Sequence, residues 1–145
     1  MALIYRFKKE KLEDGTFVSR PRILVTLINN GKPVDVTALI DSGCDITVIP
    51  RGIAKYLGLD LTGKKTKLYG YTQSTDVIES NVNISFVGKA ERQSVTLSNV
   101  LVLVPSNDEE DDVILGVRDI FDEFDITFRK SGNKIILKKV SKSRY

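Results

Sequence analysis

The strongest constraint on the fold comes from a carboxylate placed between two apolar runs. Ala38-Leu39-Ile40 leads directly into Asp41-Ser42-Gly43, and the apolar run that starts at Ile46 follows after two more residues. Burying a charged group between two strand-like segments is costly unless hydrogen bonds or partners compensate. Gly43 allows a sharp turn that brings backbone N–H groups close to the carboxylate. The stretch therefore predicts two buried strands joined by a turn that presents Asp41.

Short β-rich segments separated by turn signals account for most of the chain. Residues 22–29 are rich in β-branched side chains, Asn30-Gly31 is a strong hairpin signal, and residues 34–40 form the return strand. We expect an all-β domain, partly closed into a barrel. The remaining predicted elements are strands at residues 3–7, 16–18, 65–69, 76–86, 95–104, 113–116, 125–128 and 134–140, short helices at 50–57 and about 118–124, and polar turns at 8–15 and 88–92.

Length and composition suit one soluble globular domain. A chain of 145 residues, 41% of them hydrophobic and 28% charged, can bury one substantial core. We expect a single domain over residues 1–145, with its core at about 22–140 and a basic, frayed tail at 141–145. The net charge of +3 is too small to indicate a nucleic-acid partner, which needs a clustered basic face.

The sequence predicts a cytoplasmic protein with no membrane partner. No apolar run approaches the roughly 20 residues that span a bilayer, and the N-terminal residues become charged too soon for a signal-peptide core. The single cysteine, Cys44, excludes an intramolecular disulfide and suits a reducing compartment.

The absence of histidine removes several kinds of catalytic site. Without it the chain has no Ser-His or Cys-His pair and no His-based metal site. The acidic run at residues 108–112 lacks the spacing and the Gly of a calcium-binding loop, which favours a solvated polar loop. We expect no metal and no cofactor. Among the kinds of catalytic site considered, one built from carboxylates is still possible.

Two motifs carry a family resemblance that covers roughly residues 23–128. The stretch from Asp41 to Ile49 resembles the Asp-Ser/Thr-Gly active-site loop of aspartic peptidases, most closely the retropepsin (retroviral-type) branch. Ile114-Leu115-Gly116 is similar to the two apolar residues and Gly that pack behind that loop in the family. One departure is that Val117 separates Gly116 from Arg118, where many relatives place Arg directly after Gly. The family's ion pair between this Arg and Asp45 is therefore an open question here.

The resemblance assigns a role to each residue of the loop. Asp41 would be the catalytic carboxylate, and Ser42 would hold two loops together by hydroxyl hydrogen bonds across a dimer axis. Gly43 would present its carbonyl to the substrate chain, and Asp45 would accept hydrogen bonds from substrate N–H groups. Cys44 replaces the commoner Ala and is expected to pack as a small hydrophobe.

The resemblance also implies a flap that closes over the substrate. The hairpin at residues 70–75 occupies its place, with Gly70 and Tyr71 at the turn. Closure of such a hairpin would exclude water and complete the site. From the residues alone, Tyr71 is as readily an ordinary exposed aromatic at a strand end.

The chain contains a single Asp-Ser/Thr-Gly motif, whereas carboxylate catalysis of peptide hydrolysis needs two carboxylates sharing a proton. The resemblance therefore implies an isologous homodimer in which each subunit contributes Asp41. Such a dimer would be an aspartic endopeptidase that hydrolyses peptide bonds in extended polypeptide by a water activated between the two carboxylates.

Alternatives remain at the level of the sequence. An Asp-Ser-Gly tripeptide is often only a turn, and Asp45 can simply bond the backbone N–H groups of that turn. A catalytically inactive member of the same fold would serve as a dimerisation or peptide-binding module. A small β-barrel adaptor without a peptide groove is the third interpretation, and it rests on the β-rich composition alone.

Overall fold

The computed structural model describes residues 2–88, 93–109 and 111–141. Within these ranges strands are the main regular structure and helices are few and short, which confirms the predicted all-β class. The elements are β1 Ala2–Tyr5, β2 Lys8–Lys11, β3 Phe17–Arg20, β4 Arg22–Asn29, β5 Lys32–Ile40, β6 Thr47–Val48, α1 Arg51–Leu57, β7 Lys65–Tyr69, β8 Ser74–Val87, β9 Ser94–Pro105, β10 Val113–Leu115, β11 Phe124–Arg129 and β12 Lys134–Lys139. Two short turns of helix, Val117–Phe121 and Lys130–Gly132, complete the chain.

Six strands close into a barrel. The strands pair in the order β4-β5-β10-β6-β9-β8, and β8 pairs back with β4 to complete the circle. Strand β7 extends from β8 beyond the barrel, so that β7 and β8 form a hairpin. A three-stranded sheet, β1-β12-β11, and the two-stranded ribbon β2-β3 lie outside the barrel. The predicted retropepsin-like, partly closed barrel is therefore confirmed.

Alternation of apolar residues explains why the barrel has one interior. In β4, Ile23, Val25 and Leu27 are buried, whereas Leu24 between them is more than half exposed. The ring of Phe86 from β8 meets that of Phe124 from β11 edge-on, with 4.9 Å between centroids. The three-stranded sheet and the barrel thus share one hydrophobic core.

Strand β10 is short but central, because it pairs with the strands on both sides of Asp41. It runs parallel to β5, with Leu115 opposite Ile40, and antiparallel to β6, with Ile114 opposite Val48. The strand that leads into the Asp41 turn and the strand that leaves it are therefore held by the same three residues.

The polar stretch at residues 8–15 contains the predicted turn at residues 12–15, where the N–H of Gly15 donates to the carbonyl of Leu12 at 3.0 Å, but its first part is a strand. Residues Lys8–Lys11 form β2 and pair with β3. The strand has no apolar alternation, because all four of its residues are charged. Glu10 binds Arg22, whose side chain is only 11% exposed and also binds Asp112 at 3.2 Å. The acidic run is thus not simply solvated, because Asp112 joins this ion-pair network.

The predicted helical turn at about 118–124 is confirmed only for residues 120–123. Arg118 is extended (ψ 134°), Asp119 has a positive φ of 71°, and β11 already begins at Phe124.

The other helix, α1, ends at a left-handed Gly58 (φ 68°) as expected. The turn predicted at 88–92 and the tail at 141–145 fall largely on residues 89–92 and 142–145, outside the described ranges.

Helices in the described ranges are all too short or too polar to cross a membrane.

Candidate active site

The Asp41 turn is fixed by hydrogen bonds within itself and to β10. The backbone N–H of Asp41 donates to the carbonyl of Leu115 at 3.0 Å, and that of Cys44 donates to the carbonyl of Asp41 at 3.2 Å. The N–H of Gly43 donates to Oδ1 of Asp41 at 2.8 Å, which orients the half-buried carboxylate. A β-carbon at Gly43 would lie 3.2 Å from the same oxygen. The turn therefore presents Asp41 as the sequence predicted.

The chain just after β10 holds the far side of the loop. The N–H of Val117 donates to the carbonyl of Cys44, and the N–H of Arg118 donates to the carbonyl of Asp45, both at 2.8 Å. Two consecutive backbone hydrogen bonds thus connect the loop to the segment that follows Gly116. The loop is anchored at both ends by one stretch of chain.

Gly116 allows this close approach because it has no side chain. A β-carbon there would lie 2.6 Å from the carbonyl carbon of Ile46 and 2.9 Å from the carbonyl oxygen of Cys44, both of them backbone atoms. The N–H of Gly116 donates to Oγ1 of Thr47 at 3.1 Å, and Thr47 is fully buried. The Ile-Leu-Gly motif therefore packs directly against the Asp41 loop.

The structure does not pair Arg118 with Asp45 through their side chains. Among the described residues, no ion pair within 4.0 Å includes Arg118, whose side chain is exposed. The contact between the two residues is the backbone hydrogen bond described above. Val117 separates Gly116 from Arg118, and Arg118 has an extended backbone where it makes this hydrogen bond.

Cys44 is half-buried beside the carboxylates. Its thiol donates to the carbonyl of Ile46 at 3.1 Å. Burial raises the pKa of the Cys44 thiol, and the charges of Asp41 and Asp45 act in the same direction. A neutral thiol that packs beside Ile46 and Ile114 fits the predicted structural role.

A cleft of about 760 Å³, here called the Asp41 cleft, separates the loop from the β7–β8 hairpin. The loop contributes Asp41, Gly43 and Asp45 to its lining, and the hairpin contributes Gly70 and Tyr71. Apolar side chains from β9 and β10 also line it: Leu103 and Ile114. The structure thus brings five of the six predicted site residues around one cleft.

Ser42 is the predicted site residue that does not line this cleft. It is exposed to solvent.

The hairpin over the cleft has an ion pair midway along its strands and an exposed tip. Lys67 and Asp76 face each other across β7 and β8, with 2.9 Å between Nζ and Oδ1. At the tip, the N–H of Gly70 donates to the carbonyl of Gln73 at 2.8 Å. Tyr71 is fully exposed. The hairpin therefore has the position and form of a flap.

Two residues of the site had no role in the sequence-based prediction. Thr47 was recognised only as part of an apolar run, although a hydroxyl inside such a run is a signal that it bonds a buried group. Glu79 lines the Asp41 cleft from β8, and nothing in its sequence neighbourhood indicates this.

A small β-barrel that carries an Asp-Ser-Gly loop beneath a flap-like hairpin defines a class, the single-domain aspartic proteases of retropepsin type. Residues 25–118 match the aspartyl protease family, which is more than half of the chain. The protein therefore belongs to the aspartyl protease family.

A solved structure with a TM-score above 0.5 shares the fold. A crystal structure of a retropepsin-like aspartic protease from Rickettsia conorii aligns with a TM-score of 0.56 and 20% identity, over 94% of this chain and 90% of that one. The EIAV protease in complex with the inhibitor HBY-793 aligns with a TM-score of 0.48 and 22% identity, over 71% and 86%. No curated protein matches the chain in sequence.

Proposed function

We propose that the protein is a homodimeric aspartic endopeptidase that hydrolyses peptide bonds in extended polypeptide. The observation that carries the proposal is the position of Asp41, which lies on a doubly anchored loop at the floor of a cleft under a hairpin. The sequence has a single Asp-Ser/Thr-Gly motif, so the second carboxylate would come from Asp41 of another copy.

Two such carboxylates would act as an acid–base pair. Like charges about 3 Å apart cannot both ionise readily, so the pair shares one proton, as in aspartic proteases generally. The ionised Asp41 would take a proton from the attacking water while the protonated one donates to the carbonyl oxygen. Collapse of the tetrahedral intermediate would then break the C–N bond as a proton passes to the leaving nitrogen.

The neighbouring residues would bind the substrate and the second subunit. Gly43 and Asp45 line the cleft, where a carbonyl and a carboxylate can accept hydrogen bonds from substrate N–H groups. Ser42 is exposed and does not line the cleft, and its hydroxyl would bond the partner loop across the axis. Gly70 and Tyr71 would close over the bound chain and exclude water.

The central test is Asp41→Asn, with Asp108→Asn in an exposed loop as the matched control. Cleavage of an unfolded protein substrate from acid to neutral pH should fall by at least about a thousandfold in Asp41→Asn, because no proton can be shared by two carboxylates. The control should retain the wild-type rate. Full activity in Asp41→Asn would contradict the assignment.

Mixing the two proteins tests the dimer. If each site needs Asp41 from both subunits, equal amounts of wild type and Asp41→Asn leave about one quarter of the dimers active after random exchange. Specific activity should also rise with protein concentration. Activity that simply halves in the mixture would show that one chain suffices.

A second candidate is an inactive peptide-binding or dimerisation module of the same fold. The observation that favours it is the exposed Arg118, which makes no side-chain ion pair with Asp45 in the described ranges. Such a module would bind extended peptide without turnover at any pH. Cleavage blocked by a transition-state inhibitor of aspartic proteases would exclude it.

We further propose that residues 1–145 act as one domain in the cytoplasm. The single-domain proposal is supported by a core shared between Leu3, Leu137 and the barrel. The compartment is inferred from the single free cysteine.

A further inference from the structure

Glu79 adds a carboxylate to the lining of the Asp41 cleft, beside those of Asp41 and Asp45. It stands directly opposite Leu103 of β9, so the two side chains project from the same face of the sheet. Leu103 lines the cleft and belongs, with Val77, to a small apolar cluster that is separate from the barrel core. The side chain of Glu79 therefore lies on the cleft face of β8 and not on the face that packs into the barrel.

The backbone of Glu79 is held by the chain that leads into β7. Its N–H donates to the carbonyl of Lys64 at 2.9 Å. Gly63 lies so close that a β-carbon there would be 2.3 Å from the carbonyl oxygen of Glu79. A side chain that starts from a fixed backbone has less freedom to lose when it binds a partner. Glu79 is thus positioned before any substrate arrives.

Glu79 has no cationic partner among the described residues. It is half-buried, and none of the ion pairs found there within 4.0 Å includes it. Lys67 also lines the cleft, but its Nζ lies 2.9 Å from Oδ1 of Asp76. Lys67 alternates along β7 with Thr66 and Leu68, so its side chain projects from the opposite face of the strand. The cleft therefore carries negative charge, although the whole chain has a net charge of +3.

The surface beside Glu79 suits a long side chain that is apolar along its length and cationic at its end. Leu68, Leu103 and Ile114 line the cleft and belong to the same small apolar cluster. Lysine and arginine cover apolar surface with their methylene groups and keep the charged head at a polar partner. A carboxylate forms strong, charge-assisted hydrogen bonds with such a head. An apolar surface with a carboxylate beside it therefore matches Lys or Arg.

We infer that Glu79 is a specificity-determining residue, which binds the cationic head of a Lys or Arg side chain of the substrate while the stem of that side chain packs on Leu103. The inference rests on the proposed peptidase function, because the substrate chain has to lie in the Asp41 cleft. An isologous dimer carries two copies of Glu79. Equivalent positions on the two sides of the scissile bond should therefore share the preference for a cation.

A scan of substrate positions is the first test. The substrate is an unfolded peptide with one cleavage site, in which Lys or its uncharged analogue norleucine is placed at each position in turn on both sides of the bond. The value of kcat/KM should be about tenfold higher for Lys than for norleucine at one position on each side. Equal values at every position would overturn the inference and leave the peptidase intact.

Two variants of Glu79 assign the preference to its charge, with Glu13→Gln in the exposed turn between β2 and β3 as the control. The ratio of kcat/KM for the Lys substrate to that for the norleucine substrate should fall to about one in Glu79→Gln and stay at its wild-type value in the control. Glu79→Lys should instead prefer Glu at the same positions. A merely structural role would change the cleavage of both substrates alike. A Lys preference that survives in Glu79→Gln would overturn the assignment.

Binding without turnover distinguishes failure of this inference from failure of the peptidase. The probes are a labelled peptide that carries several Lys residues among apolar ones and the same peptide with norleucine in their place, titrated against Asp41→Asn and against Asp41→Asn with Glu79→Gln. The Lys peptide should bind about tenfold more tightly than the norleucine peptide only where Glu79 is present. The same result without any cleavage by the wild type would overturn the peptidase and support the cation site. Equal affinity for the two peptides in Asp41→Asn would overturn the cation site.

Discussion

The Asp41 loop and the tip of the β7–β8 hairpin face each other across one cleft, yet they are built in opposite ways. The loop is anchored through backbone hydrogen bonds to Leu115, Val117 and Arg118 and is packed against Gly116. The tip has the bond between Gly70 and Gln73 and a fully exposed Tyr71.

The Asp41 loop is therefore the rigid part of the site, and the hairpin tip is the adjustable part. A catalytic carboxylate must keep its geometry within a fraction of an ångström, so it benefits from packed neighbours whose positions are fixed. A cover has to open for the substrate, so it benefits from few buried contacts. Perturbing the loop should therefore cost stability as well as activity, whereas perturbing the tip should cost activity alone.

Gly116→Ala should have the largest effect, because the new methyl group would overlap backbone atoms of Ile46 and Cys44. We expect a loss of at least about 2 kcal/mol in the free energy of unfolding, together with loss of peptide cleavage. Denaturant unfolding measures the first and a peptide assay the second. Gly52→Ala in helix α1, where a β-carbon meets nothing within 4 Å, is the control and should stabilise slightly. Equal stability of the two variants would contradict the role given to Gly116.

Thr47→Val should come next, because it leaves the buried N–H of Gly116 without its acceptor. The expected cost is about 1–3 kcal/mol in unfolding free energy, with little change in volume. Thr37→Val on the exposed side of β5 should be close to neutral. If both changes prove neutral, water or another group accepts the hydrogen bond from the N–H of Gly116, and Thr47 does not anchor the loop.

Tyr71→Ala should change activity without changing stability. Because Tyr71 is fully exposed, its removal should leave the melting temperature unchanged. If the tip closes on the substrate, kcat/KM should fall about tenfold, which corresponds to about 1.4 kcal/mol. Tyr56→Ala, another exposed tyrosine outside the cleft lining, should retain full activity. A destabilised Tyr71→Ala would mean that the tip is packed after all.

Lys67→Met should have the smallest effect. The ion pair with Asp76 is exposed on both sides, so we expect only a small loss of stability, and a smaller one still in high salt. Comparison of unfolding curves at low and high ionic strength measures it. A large loss that persists in salt would indicate that packing of the lysine stem, not charge, holds the two strands of the hairpin together.

The parts of the fold that the sequence predicted are those in which the signal is local. The run from Ala38 to Ile49 joins apolar alternation, a turn and a carboxylate, so both the strands and the position of Asp41 follow from it. Asn30-Gly31 and Gly58 mark a hairpin and a helix end in the same way, through the backbone conformations that these residues favour.

The parts that were wrong or missed depend on hydrogen-bond and ion-pair partners rather than on an apolar pattern. Strand β2 consists of charged residues and is held by pairing with β3 and by the ion pair between Glu10 and Arg22. The break after Val117 places Asp119 at a positive φ, and its carboxylate accepts a hydrogen bond from the N–H of Leu101 at 3.1 Å. Neither arrangement is indicated by the periodicity of apolar residues.

The reliance of the Asp41 loop on β10 also sets a time at which the site is built. A ribosome delivers Asp41 early and Leu115 late, and until both have emerged the carboxylate has no framework to orient it. Contacts between such distant parts of a chain form slowly, because the entropy of closing the intervening segment must be overcome first. A nascent chain would therefore carry its aspartate without a finished site until Leu115 has also been synthesised.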